Sequence, residues 1–482
     1  GDRNVAIGNN ALAQQNFTTS TDSYNVAVGY VAGGSVSTGT NNTLIGGLVG
    51  DALTTGFNNV AMGYDALGAN TASGAHVAIG YEALKTLNST TNTSQFNTAV
   101  GTQAGKSVTT GIRNTILGGE AGDALTDADD NVAIGALALS GDTLGSQSVA
   151  IGRGALKVQN FTTATNTFNT AVGYSAGESV TTGTQNTLVG TLSGDALTVG
   201  TRNVAMGVAA LGADTKGSKS VAIGNAALAT QNFTTATDAF NVAVGVDAGT
   251  NVTTGTSNTL IGGLAGDAIT SGASNVAVGI NSLGSNQTGS NSVAVGNGAL
   301  SAQQGSGNMF NVGIGADAGV AVTTGIQNTI VGSLAGDALT DADFNVALGY
   351  ASLSTDTLGS RSVALGHAAL NNQNFTTATD TYNTGLGFHA GLAVTTGIQN
   401  TFVGGLAGDS LTTGNNNTFV GFSSGTDGTT TGSDNTAIGT ASLPSLTSGS
   451  SNCAMGQNAA PAITTGSNNL CLGHDAGRTG SP

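Results

Sequence analysis

Hydrophobic and polar positions alternate in a five-residue pattern that recurs along the whole chain. Each copy has Asn or Ser, then Val or Thr, usually Ala, a large aliphatic residue and finally Gly, as in NVAIG at 4–8, NVAVG at 25–29 and NTAVG at 97–101. Alternation of this kind, with β-branched residues and a bounding Gly, is typical of short β-strands and not of helices. The pattern therefore predicts an all-β chain.

The spacing of the copies predicts the architecture. The pattern starts at residue 4 and advances by 21, 17, 17 and 17 residues, and this 72-residue supercycle restarts near residues 76, 148, 220, 292 and 362. After residue 292 one step is 19 residues and one is 18, and the last copy starts at 469, which gives 27 copies. Seventeen residues are too few for a strand and a packed helix but suffice for one coil of a solenoid. We predict a parallel β-solenoid (β-roll) of about 27 coils, mostly 17 residues each.

The spacing of the pattern copies also predicts how the chain is divided. Residues 1–434 are expected to form a regular shaft, and residues 435–482 to form C-terminal coils and a cap within the same solenoid. Cys453 and Cys471 occupy the second and third pattern positions of neighbouring coils, hence opposite strand faces. They are expected to be small core residues and not a disulfide.

The alternation predicts two faces for each strand. We expect the second and fourth pattern positions to face the coil interior and the third to face outward. The third position is usually Ala but becomes a larger apolar residue once per supercycle, at Leu44, Ile116, Leu188, Leu260 and Ile330. A lone thin solenoid has nothing to cover such an outer face, so the pattern predicts association of several chains. A three-fold bundle and a two-fold pair both satisfy it.

The motif SVAIG, at 148–152 and 220–224, resembles the head repeats of YadA-like trimeric autotransporter adhesins. Together with NTAVG and TTG it is similar to the repeats of bacteriophage tail fibre proteins, over residues 4–473. The resemblance implies a parallel β-roll, a homotrimer and an extracellular attachment role, on a virion tail fibre or a bacterial cell surface. The 17-residue unit is longer than that of the adhesin heads, so the turns are expected to differ.

Charge narrows the choice of partners. The chain has 11 basic and 27 acidic residues, a net charge of −16, so it lacks the clustered Lys and Arg that nucleic-acid binding needs. The chain contains no run of 18 apolar residues, so the sequence predicts no transmembrane helix. The expected partners are copies of the chain itself and a cell-surface glycan or protein receptor, with no nucleic acid and no cofactor.

Aromatic residues cluster in the 21-residue coils and are the candidate binding residues. They form a mini-core that pins each longer loop, or a row of platforms for a sugar or a receptor. One set opens the loops and the other directly precedes the next pattern copy. The first set is Phe17, Phe161, Phe233 and Phe375, and the second is Tyr24, Phe96, Phe168, Phe240, Phe310 and Tyr382.

An Asp follows Gly once per supercycle, in the sequence GDAL or GDSL. We expect these residues to cap turns, since Asp accepts hydrogen bonds from nearby backbone N–H groups. Convergence of copies on a cation in an oligomer is the alternative, with Asp123, Asp127 and Asp129 as weak candidates, but no established metal motif is present and no metal is predicted. The recurring residues are Asp51, Asp123, Asp195, Asp267, Asp337 and Asp409.

No coil stands out by combining two acids and a base, so we predict that the protein is not an enzyme. The expected function is an extracellular structural or attachment fibre, a stiff trimeric rod that presents weak repeated contacts to a cell surface. It would be a phage tail fibre shaft or a bacterial surface adhesin. The alternatives are a structural filament polymerised end to end, a glycan-cleaving tailspike and, because Thr recurs at each turn, an ice-binding solenoid.

Overall fold

The computed structural model describes residues 1–426 and 429–478, and all regular secondary structure in this part of the chain is β-strand. Residues 427 and 428 of the expected shaft and residues 479–482 of the expected C-terminal segment lie outside it. Two compact units are present, Gly1–Phe240 and Asn241–Pro482. Every copy of the pattern forms one parallel three-residue strand, 27 in total, which confirms the predicted β-solenoid of about 27 turns.

The first unit contains thirteen of these core strands and four shorter loop strands. In chain order they are β1 (Val5–Ile7), β2 (Val26–Val28), β3 (Thr43–Ile45), β4 (Val60–Met62), β5 (Val77–Ile79), β6 (Thr98–Val100), β7 (Thr115–Leu117), β8 (Val132–Ile134), β9 (Gly145–Ser146), β10 (Val149–Ile151), β11 (Thr165–Asn166), β12 (Thr170–Val172), β13 (Thr187–Val189), β14 (Val204–Met206), β15 (Gly217–Ser218), β16 (Val221–Ile223) and β17 (Thr237–Asp238).

The second unit contains fourteen core strands and four loop strands. They are β18 (Val242–Val244), β19 (Thr259–Ile261), β20 (Val276–Val278), β21 (Thr288–Ser290), β22 (Val293–Val295), β23 (Ser306–Asn308), β24 (Val312–Ile314), β25 (Thr329–Val331), β26 (Val346–Leu348), β27 (Gly359–Ser360), β28 (Val363–Leu365), β29 (Thr379–Asp380), β30 (Thr384–Leu386), β31 (Thr401–Val403), β32 (Thr418–Val420), β33 (Thr436–Ile438), β34 (Cys453–Met455) and β35 (Leu470–Leu472).

Within each unit the core strands stack in one register, so that equivalent pattern positions lie directly above each other. β1 pairs with β2 through Val5 and Val26, and β26 pairs with β28 through Val346 and Val363. At the usual parallel spacing of about 4.8 Å, the thirteen core strands of the first unit extend over about 60 Å. The loop strands pair separately, β9 with β11, β15 with β17, β21 with β23 and β27 with β29.

The expected orientation of the strand faces was wrong, because the third pattern position points inward. Ala61 is fully buried, whereas Val60 and Met62 on either side of it are 37% and 42% exposed. The reason is the narrowness of the coil. In half of the coils the interior is filled by a Leu side chain from the turn that follows the strand, such as the fully buried Leu67, and only a methyl group fits opposite it. The large aliphatic residues of the pattern therefore face outward.

Packing of the interior explains the 72-residue supercycle. Two of every four coils replace the turn Leu by Gly, as at Gly33 and Gly50, and there the larger third residue Leu44 fills the space. A Cβ atom on Gly33 would lie 2.6 Å from Leu44 Cδ1 and 3.3 Å from Leu12 Cδ2. Leu44 therefore fills the space that Gly33 of the preceding coil and Gly50 of its own coil leave free, which gives the close packing of a protein interior.

Gly is required at the end of each core strand. Gly29 has a φ of +140°, and a Cβ atom there would lie 2.1 Å from the carbonyl oxygen of Gly46 in the next coil. An L-residue cannot meet either condition without moving the backbone. The final Gly of the pattern thus allows both the sharp turn at the end of the strand and the close stacking of successive coils.

Buried Asn side chains at the first pattern position form a ladder along the stack. The Asn42 backbone N–H donates to Asn25 Oδ1 at 3.0 Å, and Asn42 Nδ2 donates to Asn25 Oδ1 at 3.1 Å and to the Gly56 carbonyl at 2.9 Å. Asn59 repeats these bonds to Asn42. Each amide therefore joins two coils and satisfies backbone groups that the turn leaves unpaired.

Cys453 and Cys471 are both half-buried and free. Cys453 lies at an outward second position and Cys471 at an inward third position, so they are on opposite faces as expected, but Cys453 is not the core residue that was expected. Among the described residues there is no helix with the length and apolar character that crossing a membrane requires.

Candidate functional site

The outward face of the core strands is an apolar surface. We define the outer stripe as the second and fourth pattern positions together with the residue that follows the pattern Gly. Soluble monomers rarely expose long contiguous apolar surfaces, and those that do generally use them for binding. Its members that are at least 40% exposed include Met62, Leu117, Met206, Leu348, Leu386 and Met455 in the strands and Tyr30, Tyr64, Tyr81, Tyr174, Val208, Val246, Ile280, Tyr350, Phe388 and Phe422 after the Gly.

Rings in the outer stripe stack along the direction of the coils. The ring centroids of Tyr64 and Tyr81 lie 5.7 Å apart, and His367 lies 5.3 Å from both Tyr350 and Phe388. These rings remain about half exposed, so their outer edges are available to another molecule. The sequence-based interpretation placed the strand positions of this stripe inside the coil and did not identify the stripe.

The first set of loop aromatics lies at the packed base of the longer loops. Phe161, Phe233 and Phe375 are only 6–7% exposed, and Phe17 is half-buried. The structure thus places these rings as the expected mini-core would.

A buried polar network holds the same loops. Asp142 Oδ1 accepts hydrogen bonds from the Gly145 N–H at 3.0 Å and the Phe161 N–H at 3.1 Å. Gln159 Nε2 donates to Asp142 Oδ2 at 2.6 Å and to Ser148 Oγ at 2.9 Å. Equivalent networks surround Asp214 and Asp356, so the longer loop is a repeated rigid element.

The second set of loop aromatics is exposed, and each of its members is the residue before the first pattern position, a position that forms one backbone column within each unit. All six rings are 46–61% exposed. Their φ angles lie between +47° and +56°, a left-handed conformation that costs a residue with a Cβ roughly 1–3 kcal/mol. These residues are Tyr24, Phe96, Phe168, Phe240, Phe310 and Tyr382.

An ion pair lies beside three of these rings. Arg3 Nη1 is 2.9 Å from Asp22 Oδ2, and the Arg3 guanidinium carbon is 5.4 Å from the centroid of the Tyr24 ring. Lys219 Nζ is 2.6 Å from Asp238 Oδ2, and 5.0 Å from the centroid of the Phe240 ring.

The third pair, of Arg361 with Asp380, lies beside Tyr382. Beside Phe310 the pair is neutral, since Asn291 Nδ2 donates to Asn308 Oδ1 at 2.7 Å. A ring next to a donor and an acceptor therefore recurs at four of the six loop ends.

Two of the three carboxylates considered as metal ligands, those of Asp127 and Asp129, have hydrogen-bond partners, whereas Asp123 Oδ1 is buried without one. Asp129 Oδ1 accepts the Ile112 N–H at 2.8 Å, and Asp127 accepts the Thr110 hydroxyl. Burial raises the pKa of Asp123, and the neighbouring Glu120 carboxylate raises it further. In the described part of the chain no three His, Cys, Asp or Glu side chains form a group that could hold a metal ion.

His76 interrupts the Asn ladder and is fully buried. Its Nε2 lies 3.0 Å from Ser73 Oγ, and its Nδ1 has no hydrogen-bond partner. Burial lowers the pKa of His76 to about 4, so the ring is neutral at physiological pH. The side chain is a neutral core residue in this coil.

The fold and its exposed surfaces define the chain as a parallel β-solenoid repeat protein. No protein-family model matches the sequence, and no curated protein matches it significantly. The resemblance to adhesin heads and tail fibre repeats therefore rests on the repeat motif alone.

Proposed function

We propose that the protein is a non-catalytic extracellular fibre segment that attaches to a cell surface, as a phage tail fibre shaft or a bacterial surface adhesin. In this proposal copies of the chain assemble into a homotrimer through the outer stripe. The observation that supports the proposal is the exposed apolar character of this stripe on successive core strands of both units.

The periodicity of the stripe favours a copy of the same chain as the partner. Apolar side chains recur at the parallel-strand spacing of about 4.8 Å, because the core strands stack in one register. A partner keeps its apolar side chains aligned with the stripe over many coils only when it has the same spacing. Another copy of the solenoid meets this requirement, and three copies around an axis would bury one stripe from each.

Surface composition supports an extracellular attachment role. The net charge of −16 on a chain with only 8% charged residues disfavours association with nucleic acids and anionic polymers. Repetition of the same side chains in successive coils provides many copies of a weak contact, which multivalent binding converts into high avidity.

Immunogold electron microscopy of the source culture tests this proposal. Antibodies raised against the purified chain are expected to label virion tails or the outer surface of intact, unpermeabilised cells. Labelling confined to the interior of permeabilised cells would contradict the extracellular role. A preparation of the antibodies absorbed with the purified chain is the control for non-specific labelling.

A further inference from the structure

The six exposed loop aromatics have a chemical setting that chain assembly through the outer stripe does not explain. We propose that, within each unit, these rings form a binding site for an uncharged saccharide chain, an inference that rests on the proposed attachment function. Each ring is a stacking platform, and at Tyr24, Phe240, Phe310 and Tyr382 a polar pair beside the ring bonds sugar hydroxyls. We define these platforms by their rings, Tyr24, Phe96, Phe168, Phe240, Phe310 and Tyr382.

The platform at Tyr382 shows the arrangement most fully. The Arg361 guanidinium carbon lies 4.8 Å from the centroid of the Phe344 ring and 5.9 Å from that of Tyr382. Arg361 Nε donates to Asp380 Oδ1 at 2.8 Å, and the Tyr382 hydroxyl lies 3.5 Å from Asp380 Oδ2. Two rings, a planar donor and a carboxylate acceptor are thus held together on an exposed surface.

This combination matches the chemistry of a pyranose ring. One face of such a ring carries C–H groups that stack on an aromatic side chain, and its edge carries hydroxyls that both donate and accept hydrogen bonds. Asp380 and Arg361 provide an acceptor and a donor at the edge of the platform. The platforms at Tyr24 and Phe240 each combine one ring with a donor and an acceptor, Arg3 with Asp22 at the first and Lys219 with Asp238 at the second.

Backbone conformation indicates that the rings are not needed for folding. Asn41 and Asn58 occupy the same column in other coils of the first unit with φ angles of +57° and +56°. Asn tolerates the left-handed conformation better than an aromatic residue does. An aromatic residue at half-exposed positions of this column is therefore explained by a ligand better than by the stability of the chain.

Charge and spacing favour a neutral saccharide over an anionic glycan or a protein. The chain has a net charge of −16 and an Asp beside three of the rings, which disfavours sulfated or carboxylated sugars. Within the first unit, successive platforms are 72 residues or four coils apart, about 19 Å at the parallel spacing. Protein interfaces depend on clustered apolar anchors, whereas separated platforms suit a linear saccharide.

Affinity electrophoresis tests the proposal on the full chain. Native gels containing dextran, mannan, laminarin or galactomannan serve as neutral probes, and alginate serves as the anionic comparison. We expect at least one neutral polysaccharide to retard the wild-type protein and alginate not to do so. Replacement of the six platform rings by Asn is expected to weaken that retardation at least tenfold.

A matched variant controls for changes in the same backbone column. This variant changes three column residues that have φ angles of +57° to +61° and leaves all six rings in place, so retardation should be unchanged. The substitutions are Gln185→Asn, Gln327→Asn and Gln399→Asn. Thermal melting and sedimentation are measured on every variant. The six-ring variant is expected to keep the melting temperature and the oligomeric mass of the wild type.

Three results would overturn the saccharide site. In the first, the six-ring variant still binds the polysaccharide. In the second, only alginate retards the wild type, or none of the polysaccharides does. In the third, the oligomeric mass falls when the rings are removed. The last result would reassign the rings to a subunit contact. A wild-type chain that sediments as a monomer would instead contradict the proposed assembly, so the two failures are distinguishable.

Discussion

At the scale of single residues, the first pattern position has the most demanding environment. Its Asn is buried and bonds backbone groups of two coils, which explains why the sequence keeps an amide there in most coils. The sequence identified the position but could not show its bonds, because these connect residues 17 apart in adjacent coils. The final Gly of the pattern was recognised from the sequence as the end of the strand, whereas its contact with the next coil was not recognised.

Asn186→Ala tests the Asn ladder. The change leaves the Asn203 N–H and the Gly200 carbonyl without their bonds to Asn186, which measure 3.0 and 2.9 Å. An unsatisfied buried polar group costs about 1–3 kcal/mol, so the free energy of unfolding should fall by about 2–4 kcal/mol in urea denaturation. Gln185→Ala, at the exposed neighbouring residue, is the control. A loss below about 0.5 kcal/mol at Asn186 would contradict this role.

His76→Ser tests the effect of pH on the buried imidazole. The folded chain lowers the pKa of His76 from 6.5 to about 4, so protonation favours the unfolded state. The contribution of neutral His76 is present in full above about pH 6.5 and is lost as the pH falls to about 4. This loss amounts to about 3 kcal/mol.

Ser148 occupies the equivalent position one supercycle later, so Ser fits the fold. Urea denaturation at pH 7 and pH 4.5 should show a smaller loss of stability on acidification for His76→Ser than for the wild type. Equal losses in the two proteins would show that His76 does not titrate as described.

At the scale of elements, the sequence predicted the strands, their period and their parallel stacking. It misassigned their faces, because alternation defines two faces without showing which one is inside. The inside is decided by the width of the coil, which Leu67 and its equivalents in the following turns fill, and this leaves room only for a methyl group opposite. The two sets of loop aromatics were recognised, but only the coordinates separate buried Phe161 from exposed Phe168.

Phe161→Ala and Phe168→Asn test this separation within one loop. Phe161 is 7% exposed, so its truncation should lower the free energy of unfolding by about 3–5 kcal/mol. Phe168 is 53% exposed, and Asn suits its left-handed backbone, so stability should stay equal or rise slightly. Equal losses in thermal or urea denaturation would mean that both rings belong to one packed cluster.

At the scale of the whole molecule, the central feature is the outer stripe. From the sequence, the wrong strand face was assigned to the interior. The prediction that an apolar strand face contacts a partner does not depend on that assignment. In the structure the exposed apolar face is formed by the larger residues and not by the Ala positions. Leu117 and Met206, for example, are 46% and 41% exposed.

Leu117→Lys combined with Met206→Lys tests assembly through the stripe. Burial of two ammonium groups per chain in an apolar interface is strongly unfavourable, so the mass in light scattering should fall toward that of one chain. Gln185→Lys is the control, because Arg202 and Lys219 already occupy its column. An unchanged mass for the double variant, with the β-sheet circular dichroism spectrum retained, would place the interface elsewhere.

Sedimentation equilibrium of the unmodified chain tests assembly through the outer stripe without any substitution. We expect a species of three times the 46.6 kDa chain mass, at micromolar concentration and physiological salt. A single species of 46.6 kDa with an intact β-sheet spectrum would contradict it, since the outer stripe would then face water on a stable monomer.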